Sequence, residues 1–386
     1  MFSDRTNWRL TPNQLTVLQE ELRASGKPIL DLTISNPTQC GFDYDEAAIL
    51  SAFQSRSALS YDPQPKGLRT AREEIVGYYA QDHQTLVDPE SIFLTTSTSE
   101  AYSYIFRLLC NPGEELLVPK PSYPLFEFLA DLQDVALVPY SLQYAHGWFI
   151  DFQSLEAALT PQSKAILLVH PNNPTGSYVH PEEVTRLNRI CQERDLALIV
   201  DEVFLDFPFG ARDEKSLAIN TDVLTLTLSG LSKISALPQM KVAWLAVSGP
   251  AAQVQSAVAR LEVIADTFLS MSAPTQAALP TLLSQRHSLR TQILARVKEN
   301  HVNLVSLLRN QSNCEVLHTE AGWYAVLQLR NGLSGEEVAL RLLREHHVFV
   351  HPGHFYDFAT DNFLVISLIT PIISFREGLA RLSSLL

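Results

Sequence analysis

The chain has 386 residues, 46% hydrophobic and 18% charged, which is typical of a globular protein and excludes a disordered or collagen-like chain. A net charge of −13 argues against a nucleic-acid-binding protein, because neutralising phosphates requires a surplus of Lys and Arg. We see neither a secretory signal nor an apolar run long enough to span a bilayer. The four Cys lie far apart without a CxxC pair, as in proteins of a reducing compartment, so we expect a cytoplasmic protein that does not bind membranes.

From about residue 91 onward, short apolar runs alternate with longer amphipathic stretches. The runs that predict strands are SIFLTT, ELLVP, VALVPY, AILLVH, ALIVDE, VLTLTLS and VAWLAV. The stretches that predict helices are SEAYSYIFRLLC, SYPLFEFLADL, PEEVTRLNRICQERD and PAAQVQSAVARLEVIADTF. Because these strands are apolar throughout, we expect them to be buried on both faces. Their alternation with helices predicts a large three-layer α/β/α domain with a mainly parallel sheet.

The C-terminal part of the chain has a different pattern. Residues 274–310 form a long helical stretch with little Gly or Pro. It is followed by predicted strands at EVLHTEAGWYAVLQL and FLVISLI and by predicted helices at 334–346 and 374–386, which together indicate a smaller α/β domain. The predicted division is therefore an N-terminal arm packed on the small domain, the large domain and the small domain, at residues 1–40, 41–280 and 281–386.

Several common catalytic and cofactor motifs do not occur in the sequence. The GxGxxG, Walker A, HExxH, GxSxG and SxxK patterns are all missing, which argues against nicotinamide dehydrogenases, P-loop NTPases, zinc proteases and serine hydrolases. The one cluster of histidines comprises His346, His347, His351 and His354. It has no Cys at ligand spacing and, apart from Asp357, no carboxylate. We interpret it as a surface turn and expect no metal site.

Polar residues stand at the ends of four predicted strands. They are Ser97-Thr98-Ser99 after SIFLTT, residues 172–176 (NNPTG) after AILLVH, Asp201-Glu202 in ALIVDE, and residues 229–233 (SGLSK) after VLTLTLS. Each alone has a structural explanation as a turn, a helix cap or a solvated loop. Because ligands bind outside the carboxyl ends of parallel strands, the four together predict a single site.

These motifs resemble those of the class I and II aminotransferases, the pyridoxal-phosphate enzymes of the aspartate aminotransferase superfamily (fold type I). The resemblance covers nearly the whole chain and includes LTISNP, Tyr61 with Gly67-Leu68-Arg69, TSTSEA, NPGEELLVPKPSYP, HPNNPTG, VDEVF, GLSK with LPQMK, and PGHF. The spacings also agree: 28 residues from Asn173 to Asp201, 32 from there to Lys233, and 8 more to Lys241. The resemblance implies the family's fold, with a large cofactor-binding domain and a small domain.

The resemblance also implies a role for each matching residue. Lys233 corresponds to the lysine that holds pyridoxal 5′-phosphate as a Schiff base and moves the proton between the substrate Cα and C4′. Asp201 corresponds to the carboxylate that faces the pyridine nitrogen, and Asn173 to the amide that binds the ring hydroxyl. The remaining cofactor contacts implied are ring stacking by Tyr123 and phosphate binding by Ser97, Thr98, Ser99 and Lys241. Tyr61 corresponds to a tyrosine that reaches the phosphate of the neighbouring subunit, which implies a homodimer.

The sequence departs from the family pattern at several positions. Lys241 replaces the more common Arg, which keeps the charge but loses the guanidinium fork. Phe204 replaces a Tyr whose hydroxyl contacts the ring oxygen, and Ser35 replaces a Gly that lines the substrate site. Gly230 replaces a phosphate-binding Ser, for which we consider Ser229 a substitute.

The most informative departure concerns the substrate carboxylate. Val365 stands where the family carries an Arg that binds this group through a bidentate pair. We consider Arg330 and Arg376 as replacements, although both lie in segments predicted to be exposed. Trp323 and Tyr324 fall where the family's small domain faces the site, and they either set specificity or belong to the core.

Three functions are consistent with this sequence. The first is an aminotransferase that moves an amino group from an amino acid to a 2-oxo acid in two ping-pong half-reactions, and the sequence is somewhat similar to the alanine aminotransferase branch. The alternative is a pyridoxal-phosphate-dependent lyase or decarboxylase on the same scaffold, which Phe204 and Val365 favour. A non-catalytic cofactor-binding protein is disfavoured by the intact set of Lys233, Asp201 and Asn173. The sequence does not identify the donor or the acceptor.

Overall fold

The computed structural model describes residues 1–8, 10–124, 126–210, 215–269 and 271–386. Its helices are α1 (Gln14–Ala24), α2 (Glu46–Ser51), α3 (Arg69–His83), α4 (Thr98–Leu109), α5 (Phe126–Asp131), α6 (Phe152–Ala158), α7 (Pro181–Arg194), α8 (Leu231–Ile234), α9 (Ala251–Phe268), α10 (Ala273–Ser284), α11 (Arg286–Leu308), α12 (Gly335–His346) and α13 (Ile372–Leu385). Its strands are β1 (Leu30–Asp31), β2 (Ile92–Thr95), β3 (Glu115–Lys120), β4 (Ala136–Tyr144), β5 (Trp148–Ile150), β6 (Ser163–Val169), β7 (Ala197–Asp201), β8 (Thr225–Gly230), β9 (Ala243–Ser248), β10 (Cys314–Val316), β11 (Tyr324–Leu329), β12 (Val348–Phe349), β13 (His351–Pro352) and β14 (Phe363–Ser367).

The larger sheet has eight strands in the order β2-β9-β8-β7-β6-β3-β4-β5. The five strands from β8 to β4 pair in parallel, whereas β9, β2 and β5 pair antiparallel. Strands β7 and β8 are buried along their whole length, and apolar clusters with α4 and α9 on one face and α7 on the other cover the sheet. The prediction of a three-layer α/β/α domain with a mainly parallel sheet is therefore confirmed.

A second sheet follows in the C-terminal part of the chain. It has four antiparallel strands in the order β10-β11-β14-β13, and it shares one hydrophobic core with helices α11, α12 and α13. The long helical pattern predicted at 274–310 forms two helices, α10 and α11, that meet at Gln285. This sheet and its helices are the smaller α/β unit that the sequence predicts.

The N-terminal segment contacts both parts of the molecule. Helix α1 packs against α12, and β1 pairs in parallel with β12. Before α1, the indole of Trp8 donates a hydrogen bond to Asp131 on α5, 2.7 Å between Nε1 and Oδ2, and Arg5 pairs with Asp134. Residues 14–31 therefore lie on the C-terminal unit, whereas residues 5–8 contact α5 and the loop that follows it.

One loop of the C-terminal unit is fixed to the loops of the large sheet by backbone hydrogen bonds. Ala321 donates to the carbonyl of Gly176, and Gly322 donates to that of Phe207, both at 2.9 Å between N and O. A Cβ at Gly176 would lie 2.3 Å from the carbonyl oxygen of Ala321, and its φ is +70°, so this close approach requires glycine. The loop leads directly into β11 and places its first residues beside the ends of β7 and β8. In the described part of the chain, no helix has the length and apolarity needed to cross a membrane.

Candidate active site

A cavity of about 150 Å³ lies at the carboxyl ends of β6, β7 and β8. The register pairs Val169 with Asp201 and Asp201 with Leu228, so the loops that follow these strands leave the sheet at one edge. The described lining includes six residues predicted from the sequence, namely Thr98, Ser99, Tyr123, Asn173, Asp201 and Lys233. Other lining residues are Ser35, Tyr102, Phe126, Leu129, Val169, Val203, Phe204, Gly230, Ser232, Ala243 and Tyr324.

Asp201, the last residue of β7, is buried and held by two hydrogen bonds. The hydroxyl of Tyr102 donates to its Oδ2 at 2.8 Å, and the backbone N–H of Val203 donates to its Oδ1 at 3.1 Å. Burial raises the pKa of the Asp201 carboxyl, while these hydrogen bonds and the nearby charge of Lys233 oppose that rise. Tyr102 was not singled out from the sequence. The signal that could have found it is its position on α4, four residues after Thr98 and hence on the same helix face.

Lys233 lies in the short helix α8, directly after β8. Its Nζ is 5.0 Å from the ring centroid of Trp323 and 5.5 Å from that of Phe204. Burial lowers the pKa of the Lys233 amine to about 8, although Asp201 acts in the opposite direction. A substantial fraction of this amine is therefore neutral near physiological pH, as a nucleophile or a base must be.

The N-terminus of helix α4 opens on the cavity. Ser97 is its N-cap, and its Oγ accepts a hydrogen bond from the backbone N–H of Glu100 at 3.1 Å. The N–H groups of Thr98 and Ser99 belong to the first helical turn, where no helical carbonyl is available to accept from them. With the positive end of the helix dipole, they form a place where a phosphate can bind.

Two predicted phosphate ligands, Lys241 and Tyr61, do not line the cavity within one chain. Lys241 follows the turn at 238–240 and is exposed, and Tyr61 is 79% exposed. Ser97, the N-cap of α4, does not line the cavity either. In a single chain, the described cavity lining therefore contains the residues predicted to bind the cofactor ring and the first residues of α4, but not Lys241, the predicted basic ligand of the phosphate.

Close contacts with the neighbouring strand require a glycine at position 230. A Cβ on Gly230 would lie 2.9 Å from the Cα of Ala243, its partner on β9, and 2.9 Å from the carbonyl oxygen of Val242. The neighbouring Ser229 is fully buried, has no hydrogen-bond partner among the described residues, and does not line the cavity. The proposal that Ser229 substitutes for the family's phosphate-binding Ser is therefore wrong, because adjacent strand residues point to opposite faces of the sheet.

Neither arginine considered as a carboxylate ligand reaches the cavity. Arg330 pairs with Glu315, and Arg376 pairs with Glu299 at 2.9 Å between Nη2 and Oε1, both on the surface. Val365 is buried in β14. Among the described residues that line the cavity, Lys233 is the only Lys or Arg.

Aromatic residues form the wall of the cavity that faces the second sheet. The ring of Phe204 packs edge-on against Trp323, with centroids 5.4 Å apart, and lies 6.1 Å from that of Tyr324. Trp323 is fully buried beneath Lys233, whereas Tyr324 lines the cavity beside Ser35. Of the two roles that the sequence left open, Trp323 therefore belongs to the core and Tyr324 to the site.

The residues present fit pyridoxal phosphate. Asn173 lines the cavity, and its buried Oδ1 has no hydrogen-bond partner among the described residues, so this amide can turn toward a ligand hydroxyl. The other groups match other parts of the cofactor. The Asp201 carboxylate, fixed by Tyr102, suits a pyridine nitrogen. The Lys233 amine, with its lowered pKa, suits an aldehyde, and the N-terminus of α4 suits a phosphate. No three His, Cys, Asp or Glu side chains of the described residues lie close enough to hold a metal ion.

Comparison with known proteins identifies relatives over most of the chain. The family described as aminotransferase class I and II matches residues 27–371. The glutamate-pyruvate aminotransferase AlaA of Escherichia coli K12 is 29% identical over 276 residues, which are 71% of this chain and 68% of the relative. The AlaA of Haemophilus influenzae is 27% identical over 374 residues, 95% and 92% of the two chains. The structure of alanine aminotransferase from Pyrococcus furiosus superposes with a TM-score of 0.89 and 22% identity, over 100% of this chain and 99% of that one, and shows the same fold.

Proposed function

We propose that Lys233 and Asp201 are the catalytic residues of this chain, which belongs to the aminotransferase class I and II family. The chain is a pyridoxal-phosphate-dependent enzyme that transfers amino groups between amino acids and 2-oxo acids. The observation that carries this assignment is that both line one cavity, at the ends of adjacent parallel strands. We further propose that the two halves of the reaction proceed by a ping-pong sequence in this one cavity.

Lys233 is assigned the covalent and proton-transfer roles. When bound, pyridoxal phosphate draws electrons away from the substrate Cα. Lys233 would hold the cofactor aldehyde through its Nζ and, once freed by the substrate amine, would take up and return the proton at the substrate Cα. Both tasks require a neutral amine, and burial lowers the pKa of Lys233 to about 8, which supplies that form at neutral pH.

Asp201 and Asn173 are assigned the orientation of the cofactor ring. The hydrogen bonds from Tyr102 and Val203 hold the Asp201 carboxylate in one position, from which its charge keeps a pyridine nitrogen protonated. The amide of Asn173, which lines the same cavity, would bind the ring hydroxyl. Phe204 contributes no hydroxyl there, so we expect the ring oxygen of this enzyme to accept fewer hydrogen bonds than in relatives with Tyr.

The phosphate is assigned to the N–H groups of Thr98 and Ser99, with Ser97 capping the helix that presents them. Lys241, two residues before the cavity residue Ala243, is assigned as the basic anchor. Tyr123, which lines the cavity and is partly exposed, is assigned the stacking on the ring. We propose a homodimer in which Tyr61 reaches the phosphate in the partner's site. Tyr61 and the neighbouring Leu59 are both highly exposed, which supports the burial of this surface against a partner subunit.

Two further proposals concern the protein as a whole. The four cysteines are unpaired, which supports a cytoplasmic location. The second sheet and helices α11 to α13 share a hydrophobic core, which also takes in Phe204 and Phe207 from the loops of the larger sheet. This core supports a small domain at 281–386 that packs closely on a large domain at 41–280, with residues 1–40 as an arm.

The test is an absorbance titration of the cofactor-loaded protein. Added amino acids should remove the visible band of the lysine-bound cofactor and convert it into its amine form, and a 2-oxo acid should restore the band. Glutamate, pyruvate and alanine come first in the panel because they occur in the names of relatives. A visible band that persists while the donor is consumed would instead indicate the lyase or decarboxylase alternative.

Lys233→Ala should abolish the covalent band, whereas Lys241→Ala, the matched loss of the lysine eight residues later, should retain it at saturating cofactor and only weaken cofactor binding. An unchanged covalent band in Lys233→Ala would refute the assignment. For the dimer, Tyr61→Phe should raise the cofactor dissociation constant, and sedimentation should give twice the monomer mass. A monomer with unaltered cofactor affinity would refute that part.

A further inference from the structure

The cavity contains no described arginine for the carboxylate that every amino acid and 2-oxo acid carries beside its reacting carbon. Among the described lining residues, Lys233 is the only Lys or Arg and Asp201 the only carboxylate, and Lys233 is already assigned to the cofactor. A carboxylate taken out of water without a hydrogen-bonding partner is strongly unfavourable. Other groups of this chain must therefore be considered as its partners.

Val365, which stands where the family carries its arginine, lies on a face of the second sheet that carries no arginine or lysine among its paired neighbours. Val365 pairs with Val326 on one side and with His351 on the other, and Ser367 pairs with Tyr324. Paired residues of antiparallel strands, and residues two apart on one strand, share a sheet face. Val365 and His351 therefore lie on the same face as Tyr324, which reaches the cavity.

His351 does not supply the missing charge. Its Nδ1 is already 3.2 Å from the hydroxyl of Tyr356, and the rings of Phe349 and Phe355 pack beside it. Burial lowers the pKa of His351 to about 4, with Asp31 opposing this shift, so the imidazole is neutral at physiological pH. The groups on this face that reach the cavity are consequently uncharged.

Two hydroxyl groups, those of Ser35 and Tyr324, line this wall of the cavity. The segment that carries Ser35 is held against β14: the Ser367 hydroxyl donates to the carbonyl of Ile34 at 2.5 Å, and the Ser367 N–H donates to that of Leu32 at 2.7 Å. Ser35 therefore lies in a segment that is hydrogen-bonded to β14, and Tyr324 begins the neighbouring strand β11, so the fold holds both at the same wall of the cavity.

Resting on the proposed function, we propose that Ser35 and Tyr324 receive the substrate carboxylate through neutral hydrogen bonds in place of an arginine. Hydrogen bonds from a charged donor are roughly twice as strong as neutral ones, and a bidentate arginine adds further selectivity for a carboxylate. This enzyme should thus distinguish an amino acid only weakly from a neutral analogue of the same shape. Its substrate class extends from amino acids to the corresponding amino amides.

The test uses the cofactor-loaded enzyme and two probes, 2-methylalanine and its amide. Neither has a hydrogen on Cα, so neither can lose the proton that amino-group transfer requires, and absorbance of the bound cofactor measures their dissociation constants at equal concentrations of unprotonated amine. In the wild type the two constants should agree within roughly tenfold. Tyr324→Phe and Ser35→Ala should each weaken binding of 2-methylalanine by roughly three- to tenfold, as expected for one neutral hydrogen bond.

Tyr356→Phe is the matched control, since it removes a phenolic hydroxyl from a buried neighbour of Tyr324 that does not line the cavity, and it should leave both constants unchanged. The inference is overturned if the wild type binds 2-methylalanine more than about a hundredfold tighter than the amide with a salt-sensitive constant, which would reveal a cation. It is also overturned if Tyr324→Phe binds as the wild type does. A protein without a visible band would overturn the proposed function itself and this inference with it, so the two failures are distinguishable.

Discussion

The lowered pKa of Lys233 has a measurable consequence for how fast the cofactor-free protein takes up pyridoxal phosphate. Only a neutral amine attacks an aldehyde. With a pKa of about 8, about one Lys233 side chain in eleven is neutral at pH 7, compared with about one in 3,000 for an ordinary lysine. The structure therefore implies covalent attachment about 300-fold faster at pH 7 than an unperturbed lysine would give, a rise of about tenfold per pH unit below pH 8, and a plateau above it.

Stopped-flow absorbance of the cofactor-free protein mixed with pyridoxal phosphate, between about pH 6.5 and 10, measures this rate. Asp201→Asn removes the carboxylate whose charge raises the pKa of Lys233, so the midpoint of the rise should move to lower pH. Lys233→Ala should give no covalent phase. A wild-type rate that still increases tenfold per unit up to pH 10 would refute the argument, because it would mean that the amine is not desolvated.

Three further predictions test the packing around the site. Gly230→Ser should lower the free energy of unfolding by about 1–3 kcal/mol in urea denaturation, because its Cβ would lie 2.9 Å from Ala243 Cα; a loss below about 0.5 kcal/mol would contradict this clash. Asp206→Asn should cost about 1.5–3 kcal/mol, since this buried carboxylate lies 3.1 Å from His83 Nε2, and an unchanged melting temperature would speak against that pair. Phe204→Tyr should lower the pH at which the visible band of the bound cofactor titrates, by returning a hydroxyl to the ring oxygen; an unaltered midpoint would show that the hydroxyl does not reach it.

The sequence alone determined the large sheet and the convergence of its polar strand ends. Strands such as AILLV and ALIV are apolar throughout, so they require cover on both faces and hence a layered α/β arrangement. Parallel strands end at one edge. Asp201 is the last residue of β7, and Asn173 and Lys233 lie within four residues of the ends of β6 and β8, so their meeting in one cavity follows from local pattern and connectivity. The helix that begins at Thr98 is likewise readable from its Ser97 cap and Glu100.

Only the tertiary structure decided the details that depend on contacts between distant segments. Gly230 is required by Ala243 on an antiparallel neighbour strand, and Tyr102 is a partner of Asp201 because α4 lies across the sheet. Trp323 lies beneath Lys233 because the close contact of Ala321 with Gly176 fixes its loop. None of these pairs is close in sequence or part of a periodic pattern, so neither spacing nor propensity identifies them. Packing brings them together, and packing is a property of the whole chain.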